Sequence, residues 1–192
     1  MTENIIQTRI HGRGGQGVVT AAELIALAAF YDGKETQAFP SFGVERTGAP
    51  IMAFARISNK SIKTREQVYH PDFLIIQDAT LINDDEILSG ATTRTKLLVN
   101  SPKTKEDVFK ELKDKKAIRL DNIYTTPATE IALEFIGKNI VNTVILGALA
   151  KHSNLFSLAA LKKAVTTKLK SKGEKILHNN LAAIDKIYET NQ

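Results

Sequence analysis

Gly12-Arg13-Gly14-Gly15-Gln16-Gly17 is the stretch whose residue types and spacing point most directly to chemistry. It satisfies GxGxxG and sits between a β-branched run and a helical run, the context that pattern needs. Positions without side chains let the backbone turn tightly and approach a diphosphate, whose charge then meets unpaired amides at a helix start. Arg13 adds a cation and Gln16 a neutral donor. Three readings stay open on the residues alone. The glycines permit only a tight turn and close packing; or they hold a dinucleotide; or they hold another phosphate-bearing cofactor, such as coenzyme A. A dinucleotide site wants an acidic residue at the end of the second strand. Phe39-Pro40-Ser41 stands there, and Asp32 and Glu35 precede or open that strand.

Other chemistries are narrowed by what the sequence lacks. It has no cysteine, which removes disulfides, cysteine-ligated iron–sulfur clusters and thiol nucleophiles from these residues. His11, His70, His152 and His178 lack the short spacings that bring two metal ligands together, so no metal site is expected. The net charge of +5 is spread among mixed signs, and aromatic content is 6% with no nucleic-acid motif, which suits occasional anions rather than nucleic acid. The longest apolar stretch, Val18 to Phe30, is interrupted by Glu23 and too short for a bilayer. Met-Thr-Glu-Asn at the start does not resemble an export signal, so a cytoplasmic location away from membranes is expected.

The elements that must position the loop follow from periodicity. Ile5 to His11 reads as a strand, Val18 to Asp32 as a helix apolar almost all round and stopped at Gly33, and Glu35 to Phe39 as a second strand. Ile51 to Ile57 and Ser61 to Thr64, about a turn at Asn59-Lys60, predict a hairpin. Phe73 to Gln77 and Lys96 to Val99 are short apolar runs of the covered parallel type, and Ala117 to Leu120 is read as the next strand. Helices are predicted near Ala128 to Ile136, Thr143 to His152, Ser157 to Lys170 and Glu174 to Glu189. The 192 residues with 43% hydrophobic content predict one domain spanning 1–192. Its class is α/β: a mixed, mostly parallel, Rossmann-like sheet with helices on both faces and a helical C-terminal part.

Asp78 and Asn100-Ser101 fall at carboxyl ends of predicted strands, where such sheets build their sites, although a capping or turn role serves equally well. Asn142 reads first as a helix cap. Lys162, Lys163, Lys168, Lys170 and Lys172 read as the wet face of amphipathic helices, or as help for acidic partners and nucleotide phosphates. The loop from Gln37 to Pro50 carries Phe39, Phe42, two prolines and the adjacent Glu45-Arg46. It either docks on another surface or plugs the domain's own core.

Taken together, GRGGQGVVTAAELIA, QAFPSFGVERTGAP and IVNTVILGALAK resemble the gamma subunit of pyruvate:ferredoxin oxidoreductase and its 2-oxoacid relatives, with matched segments at 10–26, 37–57 and 140–151. The resemblance implies an enzyme of several subunits that decarboxylates a 2-oxoacid on thiamine diphosphate, passes electrons through iron–sulfur clusters to ferredoxin, and forms an acyl-coenzyme A. Thiamine and clusters then belong to alpha, beta and delta partners, and this chain supplies no catalytic residue. Assembly and coenzyme A contact remain for it, with Arg13, Gly14, Gly15, Gln16 and Gly17 at the phosphates. An aromatic loop with a paired charge suits a partly apolar interface, which assigns Phe42, Glu45 and Arg46 to the thiamine-bearing partners. The SFG-x-ER-x-GAP form resembles the pyruvate branch. Val44 and Thr47 stand where that pattern has Pro and Arg, which leaves branched-chain and 2-oxoglutarate enzymes open.

Overall fold

A computed structural model describes residues 5–41, 48–84, 87–112 and 117–190. In chain order the elements are β1 (Ile6–Arg13), α1 (Val18–Tyr31), β2 (Glu35–Pro40), β3 (Pro50–Ser58), β4 (Phe73–Ile76), β5 (Lys96–Asn100), α2 (Lys105–Glu111), β6 (Ile123–Thr126), α3 (Ala128–Ile136), α4 (Val141–His152), α5 (Leu158–Leu169) and α6 (Glu174–Glu189). The strands form one sheet in the order β2-β3-β1-β4-β5-β6. β1, β4, β5 and β6 are parallel neighbours, registered through Ile10, Ile75, Leu98 and Tyr124. β3 runs antiparallel between β1 and β2, so the sheet is mixed and mostly parallel.

The pleat sends alternate residues to opposite faces and makes two cores. Ile10, Ile75 and Leu98 enter the larger core with α1, α3, α4, α5 and α6. Leu74, Ile76, Leu97 and Val99 point the other way, onto Val108 of α2 and Leu81, Ile82 and Ile87 of the segment after β4. Helix α1 is apolar almost all round because it lies on β2 and β3 below and against α4 and α5 above. It ends where Lys34 N–H reaches the Ala29 carbonyl across Gly33, whose φ of 78° suits glycine. Helices α4 and α6 cross closely at Gly147, where a Cβ would lie 2.8 Å from the Ile184 carbonyl oxygen.

Two expectations about strands are corrected. Residues 61–64 form no strand, because β3 already has β1 on one edge and β2 on the other and leaves no place for a hairpin partner. Instead the buried Arg56 side chain donates to the backbone carbonyls of Glu66 and Gln67 and ties that segment down. The last strand is Ile123–Thr126 rather than 117–120, which contains no strand. The sheet ends there, so an edge strand of Tyr and Thr suffices where a continuous apolar run was expected. Helix α2 had not been predicted, yet Thr104 marks it: its Oγ1 accepts from Asp107 N–H at 3.2 Å, a capping pattern legible in Thr-x-x-Asp.

Candidate functional site at the glycine loop

The carboxyl ends of β1 and β4 are where the chain parts: β1 leads outward to α1 and β2, whereas β4 leads to β5 on the opposite side. A crevice outside such a switch point is the usual binding place of open α/β sheets. The loop from Gly12 to Gly17 occupies it. Gly14 N–H donates to Ala49 O at 2.9 Å and Gly14 O accepts from Gly48 N–H at 3.1 Å, extending the β1–β3 pairing beyond the strands. Gln16 N–H turns back to Arg13 O at 3.0 Å. Among the described residues, the amides of Gly15 and Gly17 have no partner, and both lie at the entrance to α1. Unpaired amides at a helix start favour an anion.

The glycines differ in what they do. At Gly12 a Cβ would sit 2.6 Å from Val18 Cγ2 and 3.0 Å from Gln16 Oε1, so its role is close packing. Gly17 has φ of 73°, and a Cβ there would meet Asn142 Nδ2 at 2.3 Å. Gly15 has φ of 96° and open space beside it, which leaves its face of the loop accessible.

Side chains knit the loop to β4. Gln16 Oε1 accepts from Arg13 N–H at 2.8 Å while its Nε2 donates to Asp78 Oδ2 at 3.0 Å. Arg13 pairs with Asp78 at 3.2 Å and donates to Thr80 Oγ1 at 2.8 Å and to Gly48 O at 3.1 Å. Burial works to raise the Asp78 pKa, but hydrogen bonds from Thr80 and Gln16 and the Arg13 charge outweigh it and hold the carboxyl below its ordinary range. The side-chain charges of the loop therefore cancel locally, and its attraction for an anion rests on amides and helix dipole.

Beneath the loop lie residues the sequence reading had not placed in a site. Gln77 is 1% exposed and neither side-chain amide atom has a partner among the described residues; Asn142 Oδ1 is likewise buried and unpaired among them. The capping role expected of Asn142 is corrected: α4 starts at Val141 after Ile140, with no side-chain cap, and Asn142 packs across on Gly17. The polar ending of the run Phe-Leu-Ile-Ile-Gln-Asp was the signal for Gln77. Asn100 does cross-link: Nδ2 donates to Gln77 O at 2.8 Å and Thr129 Oγ1 at 2.9 Å, and Oδ1 accepts from Thr129 N–H at 3.1 Å. Ser101 Oγ accepts from Lys103 N–H at 3.2 Å, a turn role.

On the other face of β1, Arg9 Nε donates to His11 Nε2 at 3.0 Å, and the guanidinium also reaches Ile87 O at 2.8 Å and Ser89 O at 2.7 Å. Burial and then the Arg9 charge push the His11 pKa down to about 3, so the imidazole is a neutral acceptor. Phe42, Glu45 and Arg46 lie outside the described residues. Phe39, before them, turns to its own domain, with its ring 5.1 Å from that of Phe54 and beneath Arg56. Lys162 and Lys168 pair with Asp185 and Glu23, and Lys163 lies over Tyr31, which fits the wet helix face. Among the described residues no three metal-binding side chains gather, and no helix is long and apolar enough to cross a membrane.

The family model described as pyruvate ferredoxin/flavodoxin oxidoreductase matches residues 7–190. Pyruvate synthase subunit PorC of Methanocaldococcus jannaschii is 46% identical over 172 residues, 89% of this chain and 90% of that protein. The common subunit gamma of the pyruvate/ketoisovalerate oxidoreductases of Pyrococcus furiosus is 45% identical over 161 residues, 84% of this chain and 85% of that one. The solved pyruvate oxidoreductase subunit PORC of Thermotoga maritima has a TM-score of 0.79 at 35% identity and covers 96% of both chains. A 2-oxoglutarate:ferredoxin oxidoreductase from Magnetococcus marinus, solved with 2-oxoglutarate, coenzyme A and succinyl-CoA bound, shares the fold at a TM-score of 0.73 and 23% identity over 97% of this chain and 30% of its own.

Proposed function

Because this chain belongs to the pyruvate ferredoxin/flavodoxin oxidoreductase family, we propose that it is the gamma subunit of an enzyme converting pyruvate and coenzyme A to acetyl-CoA and CO2 while two electrons pass to ferredoxin. Near-complete coverage of subunits named for pyruvate supports that substrate. The relative named as a subunit common to pyruvate and ketoisovalerate enzymes supports a second reading, in which branched-chain 2-oxoacids are also served and selectivity resides in partner subunits. Thiamine diphosphate and iron–sulfur clusters are assigned to alpha, beta and delta partners, since these 192 residues offer no cysteine. On this reading the chain is one domain over 1–192 of a cytoplasmic complex, and Phe42, Glu45 and Arg46 meet the thiamine-bearing partners.

The glycine loop is the place for coenzyme A phosphates. The observation that carries this is the pair of open amides at Gly15 and Gly17, just ahead of the first turn of α1. Gly14 and Gln16 act differently from the simplest expectation: their amides are bonded within the loop, so both shape it. Arg13 belongs to the site by neutralising Asp78 beside the amides. Its loss leaves a bare carboxylate near the phosphates, whereas Asp78→Asn frees the cation for them. The test is steady-state oxidation of pyruvate by the reconstituted enzyme with coenzyme A varied. The expected result is a KM for coenzyme A raised roughly tenfold or more by Arg13→Ala and lowered by Asp78→Asn, at unchanged KM for pyruvate. Two normally assembled variants with unaltered coenzyme A dependence leave the loop a packing device.

A further inference from the structure

The last strand of the sheet has a neighbour on one side only. Ser101 N–H donates to Thr126 O at 2.9 Å, which turns the Thr126 backbone, and by alternation that of Tyr124, toward β5. The Ile123 and Thr125 backbones therefore face away from the sheet. Leu120 O already receives the Ile123 N–H. The Ile123 carbonyl and the Thr125 N–H and carbonyl remain; the first two are an acceptor and a donor two residues apart, and no partner for any of the three is found among the described residues. Ile123 and Thr125 are only 2% and 5% exposed, so these groups are withdrawn from bulk water. A backbone pair in that state wants a partner.

Both residues line a cavity of about 390 Å³, within the size range of ligand pockets. One wall is aromatic: the Tyr124 ring and the His152 imidazole stack with centroids 4.5 Å apart and 28° between planes. Burial, then Lys151 and Lys96, lower the His152 pKa, so the imidazole is neutral near pH 7 and suited to stacking. The lining also includes Lys103 and Lys105, while Glu106 and Asp121 supply carboxylates. Lys103 is held by Glu111 at 2.5 Å; Lys105 has no ion-pair partner among the described residues.

We propose that this cavity is an adenine nucleotide site, in which the Ile123 carbonyl accepts from the adenine amino group and the Thr125 N–H donates to the adjacent ring nitrogen. An amino donor beside a ring acceptor is the edge adenine presents, whereas guanine places a carbonyl and a ring N–H there and meets this backbone with the wrong polarity. The Tyr124–His152 wall takes the base, a carboxylate the ribose hydroxyls, and Lys105 a phosphate. The site is distinct in place from the glycine loop, and it does not depend on what that loop binds. The nucleotide comes either free or as the adenosine end of coenzyme A; the chemistry recognised is the same.

The test is calorimetric titration of the purified full chain with AMP, with GMP and with inorganic phosphate. AMP is expected to bind at least tenfold more tightly than GMP, with no comparable binding of phosphate alone. Lys105→Glu and Tyr124→Ala should each weaken AMP by about tenfold or more, with thermal melts checking that both variants are folded. Coenzyme A that displaces AMP, together with a raised KM for coenzyme A in the enzyme carrying Lys105→Glu, identifies the coenzyme as the source. AMP binding untouched by coenzyme A identifies a free nucleotide. Absence of AMP binding, or equal affinity for AMP and GMP, overturns the proposal.

Discussion

His11 makes the stability of this domain depend on pH in a way that can be worked out in advance. Its pKa falls from 6.5 in a free side chain to about 3 in the fold. Between those values the unfolded chain binds a proton at this position and the native chain does not, so acid favours unfolding. The stabilising contribution is complete above about pH 6.5, declines by roughly 1.4 kcal/mol per unit through the window, and is exhausted near pH 3. At about pH 4.5, two units below the unfolded value, the loss is about 3 kcal/mol, a large fraction of a typical domain's stability. The perturbation that isolates it is His11→Gln, whose amide oxygen can still accept from Arg9 Nε but which does not titrate. Urea unfolding of both proteins followed by circular dichroism at pH 7.5 and 4.5 gives the comparison. The wild-type chain should lose about 3 kcal/mol more than the variant over that interval, since every other titrating group is common to both. Parallel losses would refute the placement of His11 as a neutral, buried acceptor.

Other outcomes can be checked with the same domain. Gly17→Ala should lower unfolding free energy by roughly 1–3 kcal/mol in denaturant melts, because its Cβ meets Asn142 and its φ is positive. Gly15→Ala has open space and should be the milder of the two by thermal melting, while acting on the KM for coenzyme A in the assembled enzyme. Asn100→Ala removes the hydrogen bonds to Gln77 and Thr129 and should cost about 2–3 kcal/mol of stability, measured by urea titration. Replacing Phe42 and Arg46 together with Ala should reduce recovery of the multi-subunit complex by affinity pull-down while the melting temperature of the subunit stays nearly unchanged.

Local signals carried much of the fold. The β1–glycine loop–α1 unit, β4, β5 and the late helices were legible because each has its own periodicity and punctuation, such as Gly33 after α1. The hairpin expectation failed because the partners of β3 are β1 and β2, and its pairing with β1, from Arg13 with Pro50 to Ile6 with Ile57, writes no local pattern. β6 was misplaced by a few residues since an edge strand needs little apolar content. At the site, the glycine spacing announced the loop but not the division of labour within it. That Gly14 spends its amide on Ala49, and that Asp78 already holds Arg13, are tertiary facts. Asn142 was hidden by a helix start that made a capping role the natural reading, although its partner Gly17 lies 125 positions earlier.

The insertion of β3 between β1 and β2 also governs the order in which the domain can be built. β1 and β2 are adjacent in sequence with α1 between them, but they do not pair: one neighbour of β1 begins at Pro50 and the other at Phe73. A chain emerging from the ribosome therefore presents β1, the nearly all-apolar α1 and β2 before any two strands can pair. Sheet formation waits for β3, and its long loop closures slow folding relative to a chain of sequential hairpins. Until then α1 has no complete sheet face to cover, so β1, α1 and β2 without β3 do not make a folding unit.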